Sequence, residues 1–454
     1  METGSILFIL IFLPLTALVY YLIPIRFRSA RNNILLLFSL VFYAWGSLIN
    51  AGILVILTIC NYFLGLGIGR RVKKQKKGAA LRAVQFAVGI NVIMLIFFVV
   101  NGFLLARTGR LYGSVLQVKA TGLPLGMGIY LLSSISYLLE VYKEKAPAET
   151  DFTVFALYVA MFPKIVAGPM VPFSKLREQL TDRNENLDQA GYGVGRFVIG
   201  LAKYVFLAAF AGELWSDISA GGNALLNAWI GALALAGSIY FTWSGFADMA
   251  VGLGSIFGFE FGGNFKYPLT SKSHEELWKR FNISVTGFFK AYVEKPLRDD
   301  RKTGSFSVLI AWALYGLWYG ASWSCLVGGV YFGVFLLLEK GFFGRMLKKL
   351  PTFVRYIYMI ITSGVGIIFF SGKSLTDSLY YVGSMFGGGA GVANMMTLYY
   401  LRTKGIFLLL MVLCALPAGH NWKGKYLFMN GKFGSIVLSV VYALLFILCI
   451  CWIV

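Results

Sequence analysis

The chain of 454 residues is 58% hydrophobic and only 13% charged, with a mean hydropathy of +0.73. A soluble domain carries about 25% charged residues to solvate its surface, so lipid is the main solvent here and a soluble globular enzyme is excluded. The net charge of +21 does not point to nucleic acid, because the basic residues cluster between apolar runs, at Arg26, Arg28 and Arg31, from Arg70 to Lys77 and from Lys340 to Lys349, with no aromatic-interleaved basic stripe for bases to stack on.

Crossing hydrocarbon as a helix takes about 20 apolar residues. In chain order the expected spans are Ser5–Ile25, Asn33–Leu48, Ala51–Gly69, Ala83–Ala106, Leu123–Val141, Phe152–Val171, Phe197–Gly212, Trp229–Phe257, Val308–Leu338 as a helical hairpin, Val354–Phe370, Ile406–Leu416 and Ile436–Val454. The runs are continuous rather than alternating, and an open sheet edge cannot face lipid, so the fold class is all-α and polytopic. The expectation is about 11–13 transmembrane or re-entrant helices in a single membrane domain over residues 1–454. Ile6–Leu22 has no basic residue before it and no small-x-small site after it, so it reads as a retained first span rather than a signal peptide. The two basic clusters that end at Arg31 and Lys77 are separated by two spans and share one face. The positive-inside rule makes that face cytoplasmic, with the N-terminus extracytoplasmic and the clusters beside anionic lipid headgroups.

Cys60, Cys325, Cys414, Cys449 and Cys451 all lie in apolar runs without a C-x-x-C pair, and read as small buried hydrophobes rather than disulfides or metal ligands. His274 and His420 show no ligand spacing either, so no metal is expected.

Asn264 to Arg301 breaks the apolar pattern. Leu277, Phe281, Val285 and Phe288 recur at helical spacing with Glu276, Lys279 and Arg280 between them, which predicts one interfacial or re-entrant helix. Such a segment survives at membrane depth only beside protein or a water-filled cavity. Within the spans, Asp248 is costly and therefore a functional candidate; the structural alternative is a buried carboxylate tying helices together through Ser, Trp or backbone partners. Lys164, Arg196 and Lys203 are expected to snorkel toward an interface. Gly252, Gly254 and Gly258 fit close packing of helices.

Taken in order, Asn33–Trp45, Leu123–Gly126, Ser136–Tyr142, Phe162–Pro169, Ser244–Gly252, Asn264–Pro268, Leu277–Ser284 and Leu317–Trp323 resemble the membrane-bound O-acyltransferase (MBOAT) family. The likeness is to its bacterial branch of alginate O-acetyltransferase membrane subunits and teichoic-acid D-alanyl transfer proteins. It covers a core of about residues 30–340, with additional C-terminal spans over 341–454. It implies a ring of tilted helices around a central tunnel, a cytoplasmic acyl thioester donor (acetyl-CoA or an acyl carrier) and a hydroxyl acceptor arriving from the other side. No bound cofactor is implied.

The resemblance also implies a histidine base in a Trp-His-Gly motif, with a second His, Asn or Asp as its partner. Here the motif reads Trp318-Tyr319-Gly320, the partner position is Asn282, and a second histidine common in this branch is replaced by Phe332. A phenol with an ordinary pKa near 10 is only about one part in a thousand ionised at neutral pH, a poor substitute for imidazole. Asn282 and Tyr319 are thus the candidate catalytic residues; Asp248, Trp278, Arg280, Ser284, Trp318, Trp323 and Phe332 are assigned to the tunnel wall or its support. His274 and His420 are the remaining candidates for a replacement base.

Three readings follow. The first is an O-acyltransferase, acetyl-type, acting on an exported cell-surface polymer with a rebuilt base and a separate extracytoplasmic partner protein. The second is an inactive member of the family that serves as a scaffold or an acyl or lipid conduit. The third is an unrelated transporter, against which the ordered motifs speak. The cavity around Tyr319, Asn282 and His274 discriminates the first two.

Overall fold

The computed structural model describes residues 3–112, 126–165, 168–183, 185–221, 224–299, 304, 306–389, 391–417 and 432–453. Among them every regular element is helical, with no strand. Among the described residues seven helices are long and apolar enough to cross a bilayer, and five shorter apolar helices accompany them. The chain is an all-α polytopic membrane protein.

Several expected spans have different bounds. Phe152–Val171 breaks after Ala160 and restarts for one turn at Phe162–Ile165. Phe197–Gly212 lies within a longer helix, Leu187–Ala220, interrupted by a π-helical stretch at Lys203–Ala208. Val308–Leu338, by contrast, is the helical hairpin expected of it, made of Ser307–Tyr319 and Trp323–Lys340. Leu123–Gly126, apart from Gly126, and His420 lie outside the described residues.

Two compact units divide the chain. The first comprises Met1–Phe197, Phe246–Gly262 and Ile453–Val454. Its core is aromatic: the Phe12 ring lies 5.5 Å from Phe162 and 5.9 Å from Phe42. Glycines let its helices touch. A Cβ on Gly252 would stand 2.5 Å from the Gly193 carbonyl oxygen, and one on Gly254 2.6 Å from the Phe261 ring. Gly258 acts differently from the packing expected of it, because φ of +81° places it in a turn after the helix.

The charges in this unit also depart from expectation. Arg31 is buried rather than presented to headgroups and pairs with Glu185, which also takes Arg183 at 2.9 Å. Tyr20 and Asn32 complete that network through Arg183, at 2.7 and 2.9 Å. Arg196 does not snorkel; its guanidinium meets Asp248 at 2.6 Å. Lys164 is wholly buried, with Nζ 3.9 Å above the Tyr158 ring. A long basic side chain stays inside when its stem is enclosed on every side, and snorkelling needs an exposed end.

The second unit comprises Val198–Gly245 and Gly263–Trp452. Its closest helix pair is the hairpin of Ser307–Tyr319 and Trp323–Lys340. A Cβ on Gly316 would stand 2.2 Å from the Cys325 carbonyl oxygen, and one on Gly329 2.2 Å from that of Trp312. Only bare backbone allows this crossing. The tip of the hairpin is Gly320–Ser322, where the Ser322 side chain caps the second helix by accepting from Cys325 N at 3.1 Å.

Candidate active site

The polar segment folds as two short helices, His274–Arg280 and Ile283–Phe289, rather than the single helix that the spacing predicts. Asn282 makes the break. Its backbone is left-handed, φ 45° and ψ 54°, a conformation that asparagine tolerates better than most residues. The first helix is capped at its start by Ser273, which accepts from Glu276 N. Glu339 accepts from the backbone N–H of His274 at 2.8 Å and of Glu275 at 3.0 Å, so a carboxylate sits at the positive end of the helix.

A chain of hydrogen bonds orients the break. Ser284 N, which can only donate, bonds the Asn264 side-chain oxygen at 2.8 Å. Asn264 Nδ2 then donates to Asn282 Oδ1 at 3.0 Å. With its oxygen engaged, the group that Asn282 has left to offer is its amide N–H2. The Tyr315 hydroxyl lies against Asn282 and Thr286 without closing a hydrogen bond of normal geometry to either. The backbone repeats the clamp, since Ile283 N bonds Asn264 O at 3.0 Å and Lys266 N bonds Arg280 O at 2.9 Å.

Tyr319 is the last residue of its helix, one turn beyond Tyr315 on the same face. Its hydroxyl oxygen accepts from Trp243 Nε1 at 3.3 Å, which leaves the phenolic proton to be given elsewhere. Its ring meets Phe370 edge-on at 4.9 Å. Trp278 packs 4.5 Å from Trp312, 5.0 Å from Phe332 and 5.3 Å from Tyr315.

These aromatic rings form one wall of a cavity of about 640 Å³ within the second unit. Tyr319, Tyr315, Trp278, Phe281, Phe332 and Phe370 line it, and Leu233, Ile360 and Val412 face them from other helices. Asn282 is not among the lining residues, although its neighbours Phe281 and Tyr315 are.

The other sequence candidates divide. Phe332 and Trp278 line the cavity; Asp248, Arg280, Ser284, Trp318 and Trp323 do not. Asp248 is engaged by Arg196 in the first unit. Arg280 bonds Glu276 at 2.6 Å and Thr270 at 2.5 Å, tying the re-entrant helix to the turn before it. Ser284 contributes through its backbone, and the Trp318 ring packs 6.3 Å from Trp243. Trp323 is 59% exposed at the start of its helix, where nothing holds it over the site.

His274 does not reach the cavity lining. Its Nε2 bonds Thr362 Oγ1 at 2.9 Å, and that hydroxyl gives its own proton to Tyr358 O. Nε2 must therefore carry the imidazole proton, leaving Nδ1 as the unpartnered acceptor. Burial pushes the imidazole down to about 3, so it is neutral.

Sequence reasoning found the motif that opens at Asn264 but not that residue's role, and missed Tyr315, Trp243 and the contribution of Ser363 and Val412 to the cavity. Tyr315 was findable, four residues before Tyr319 on a helix. The others come from distant segments.

Comparison with known proteins decides the family. Residues 139–382 match the MBOAT, membrane-bound O-acyltransferase, family. The chain belongs to the MBOAT family. It is 32% identical to the probable alginate O-acetylase AlgI of Azotobacter vinelandii over 86% of this chain and 79% of the relative. A peptidoglycan O-acetyltransferase of Helicobacter pylori is 28% identical over 84% of this chain and 79% of its own length. A teichoic acid D-alanyltransferase of Bacillus subtilis is 23% identical over 50% and 60%. The MBOAT match contains the re-entrant segment, the hairpin with Tyr319, and His274.

Proposed function

We propose that this MBOAT protein transfers an O-acyl group from a cytoplasmic thioester donor, acetyl-CoA or an acyl carrier, to a hydroxyl of an exported cell-surface polymer. The relatives named for O-acetylation of alginate and of peptidoglycan support the acceptor class. The observation that carries the reading is the orientation of Asn282, whose amide N–H2 is turned free of Asn264 and lies beside Tyr315, which is itself one turn from Tyr319 on its helix. The reading takes Asn282 and Tyr319 as two neutral donors at one reacting centre.

The chemistry needs no ionised side chain. The acceptor oxygen attacks the thioester carbonyl, the C–S bond breaks, and the acceptor proton ends on the leaving sulfur. Asn282 donates to the carbonyl oxygen as negative charge develops there, a contribution worth about 10² to 10³ in rate for one such donor. Tyr319 relays the proton: its hydroxyl gives its own to sulfur and takes the acceptor's, while Trp243 holds the phenol oxygen in place. The acceptor polymer is brought by a separate extracytoplasmic partner protein, with the N-terminus on that same side.

One observation favours a second reading, an inactive member that serves as scaffold or conduit. Tyr319 stands where the resemblance implies a histidine, and it is held by Trp243 and Phe370. Acyl transfer by the purified chain in detergent, with labelled acetyl-CoA and a labelled acyl carrier as alternative donors, separates the two. Label transfer or thioester hydrolysis that Asn282→Ala abolishes supports the transferase. Silence in the native chain with activity gained in Tyr319→His establishes the inactive form.

A further inference from the structure

Lys164, in the first unit, is a basic group that the acyl-transfer reading leaves without a task. Its side chain is 0% exposed at the end of the apolar run Phe152–Lys164, and Nζ has no hydrogen-bond partner. The Tyr158 ring, 3.9 Å from Nζ, offsets part of the cost of burying an ammonium. Among the described residues no acidic group is close enough to act on its charge. A cation taken out of water either finds a counter-charge or gives up its proton.

Three hydroxyls near it are in the same condition. Tyr43, Tyr130 and Ser133 are 4%, 1% and 0% exposed, and none of their side-chain oxygens has a partner. Buried polar atoms are rarely left so, and each calls for a ligand or an ordered water. Contacts join the four groups in a closed circuit. The Tyr158 hydroxyl donates to Ser133 O at 3.2 Å, and Ser133 lies one turn from Tyr130 on the helix Met127–Tyr142. The phenols of Tyr130 and Tyr43 are close enough to interact electrostatically. Tyr43 lies one turn from Ser39 on the helix Arg28–Gly46, and Ser39 Oγ accepts at 3.1 Å from the N–H of Phe162, two residues before Lys164.

All four groups can donate a hydrogen bond, and the ammonium can do nothing else. Water would serve the hydroxyls, but it brings no charge to balance the ammonium. A divalent anion would bring one charge too many. With every one of the four buried, the occupant keeps no part of itself in solvent, so it is compact.

We propose that Lys164, Tyr43, Tyr130 and Ser133 form a buried site for a halide-sized monovalent anion, chloride in the cell. The ion ties the helices Arg28–Gly46 and Met127–Tyr142 to the helical restart at Phe162–Ile165. The site lies within the first unit and does not depend on the acyl-transfer reading.

The test melts the full chain in detergent while sodium bromide replaces sodium gluconate at constant ionic strength, which leaves surface screening unchanged. An anion that binds only the folded state raises the melting temperature saturably. The native chain should gain a few degrees and level off, and Lys164→Met should gain nothing. Tyr130→Phe, which removes one donor to a charged ligand, should raise the half-saturating bromide concentration about tenfold; it keeps the test decisive should Lys164→Met fail to fold. Crystals of the native chain grown in bromide should show an anomalous peak beside Lys164 Nζ. No response to bromide, as a deprotonated amine would give, overturns the proposal, and so does a response that neither variant changes. A rise with acetate in place of bromide, and none with bromide, overturns the assignment to a halide.

Discussion

Asn264 donates to the side-chain oxygen of Asn282 at 3.0 Å while its own oxygen is pinned by Ser284 N at 2.8 Å. The polarity of the second asparagine is thus set by the first, eighteen residues away. An amide whose oxygen is occupied has only its N–H2 left to offer; rotated by half a turn it would present an acceptor instead.

Replacing Asn264 with Asp tests that polarity with little change in shape. The carboxylate still accepts from Ser284 N but has nothing to donate to Asn282, which is then driven to turn its N–H2 toward residue 264. The turnover of Asn264→Asp should fall about as far as that of Asn282→Ala, by about 10² to 10³. Asn264→Ala should in addition lower stability by about 1–3 kcal/mol, the cost of leaving buried polar groups unpaired. Turnover beside thermal unfolding in detergent distinguishes the two effects.

Tyr319→Phe keeps the ring against Phe370 and deletes the hydroxyl. A proton relay predicts a fall in kcat of about 10² to 10⁴, as for loss of a general acid or base, with KM little altered. Trp243→Phe removes only the bond that orients the phenol and should cost far less. Equal kcat in native and Tyr319→Phe enzyme would contradict the relay.

The buried imidazole of His274 gives a pH signature. Folding holds it neutral, down to about 3 against about 6.5 for an ordinary histidine. The unfolded chain therefore binds a proton that the folded chain refuses. Stability from this site is intact above about pH 6.5 and is lost progressively as the pH falls from there toward 3. Glu339 and Tyr358 face the same residue and are the same in both chains compared. The informative quantity is the difference between native chain and His274→Gln in melting temperature against pH, which should narrow on acidification.

Gly316→Ala should disrupt the hairpin. The added methyl would stand 2.2 Å from the Cys325 carbonyl oxygen, a backbone atom that cannot swing aside. Overpacking costs about 1–3 kcal/mol where neighbours can adjust, and here the loss should be at the upper end or beyond. Yield of monodisperse protein after detergent extraction measures it.

Much of the architecture was legible because lipid leaves so few options. Continuous apolar runs can only be helices, and Ser5–Ile25 or Ala51–Gly69 fall within one turn or so of helices in the structure. The failures have a common cause, since hydropathy is blind to single-residue geometry. Asn282 ends a helix by adopting φ 45° although Leu277, Phe281, Val285 and Phe288 keep helical spacing across it. Lys164 reads as a snorkelling cation until its neighbours are known to enclose it. At the site, ordered motifs located Tyr319 and Asn282, yet that Asn264, at the start of the same polar segment, orients Asn282 is revealed only by folding. Trp323 shares the motif of Tyr319 but points away, since it opens the second helix of the hairpin while Tyr319 closes the first.

The hairpin has a consequence for how easily this site changes its chemistry. Tyr319 is positioned by the hairpin crossing, in which Gly316 lies against the Cys325 carbonyl and Gly320 against the Cys325 sulfur, and its own side chain contributes little to where its Cα stands. A different side chain at position 319 would project from the same point into the same cavity. Tyrosine and histidine codons differ by one base. The lineage of this protein therefore sits a single nucleotide from an imidazole at that point, and a selection for faster transfer would have a short path to follow.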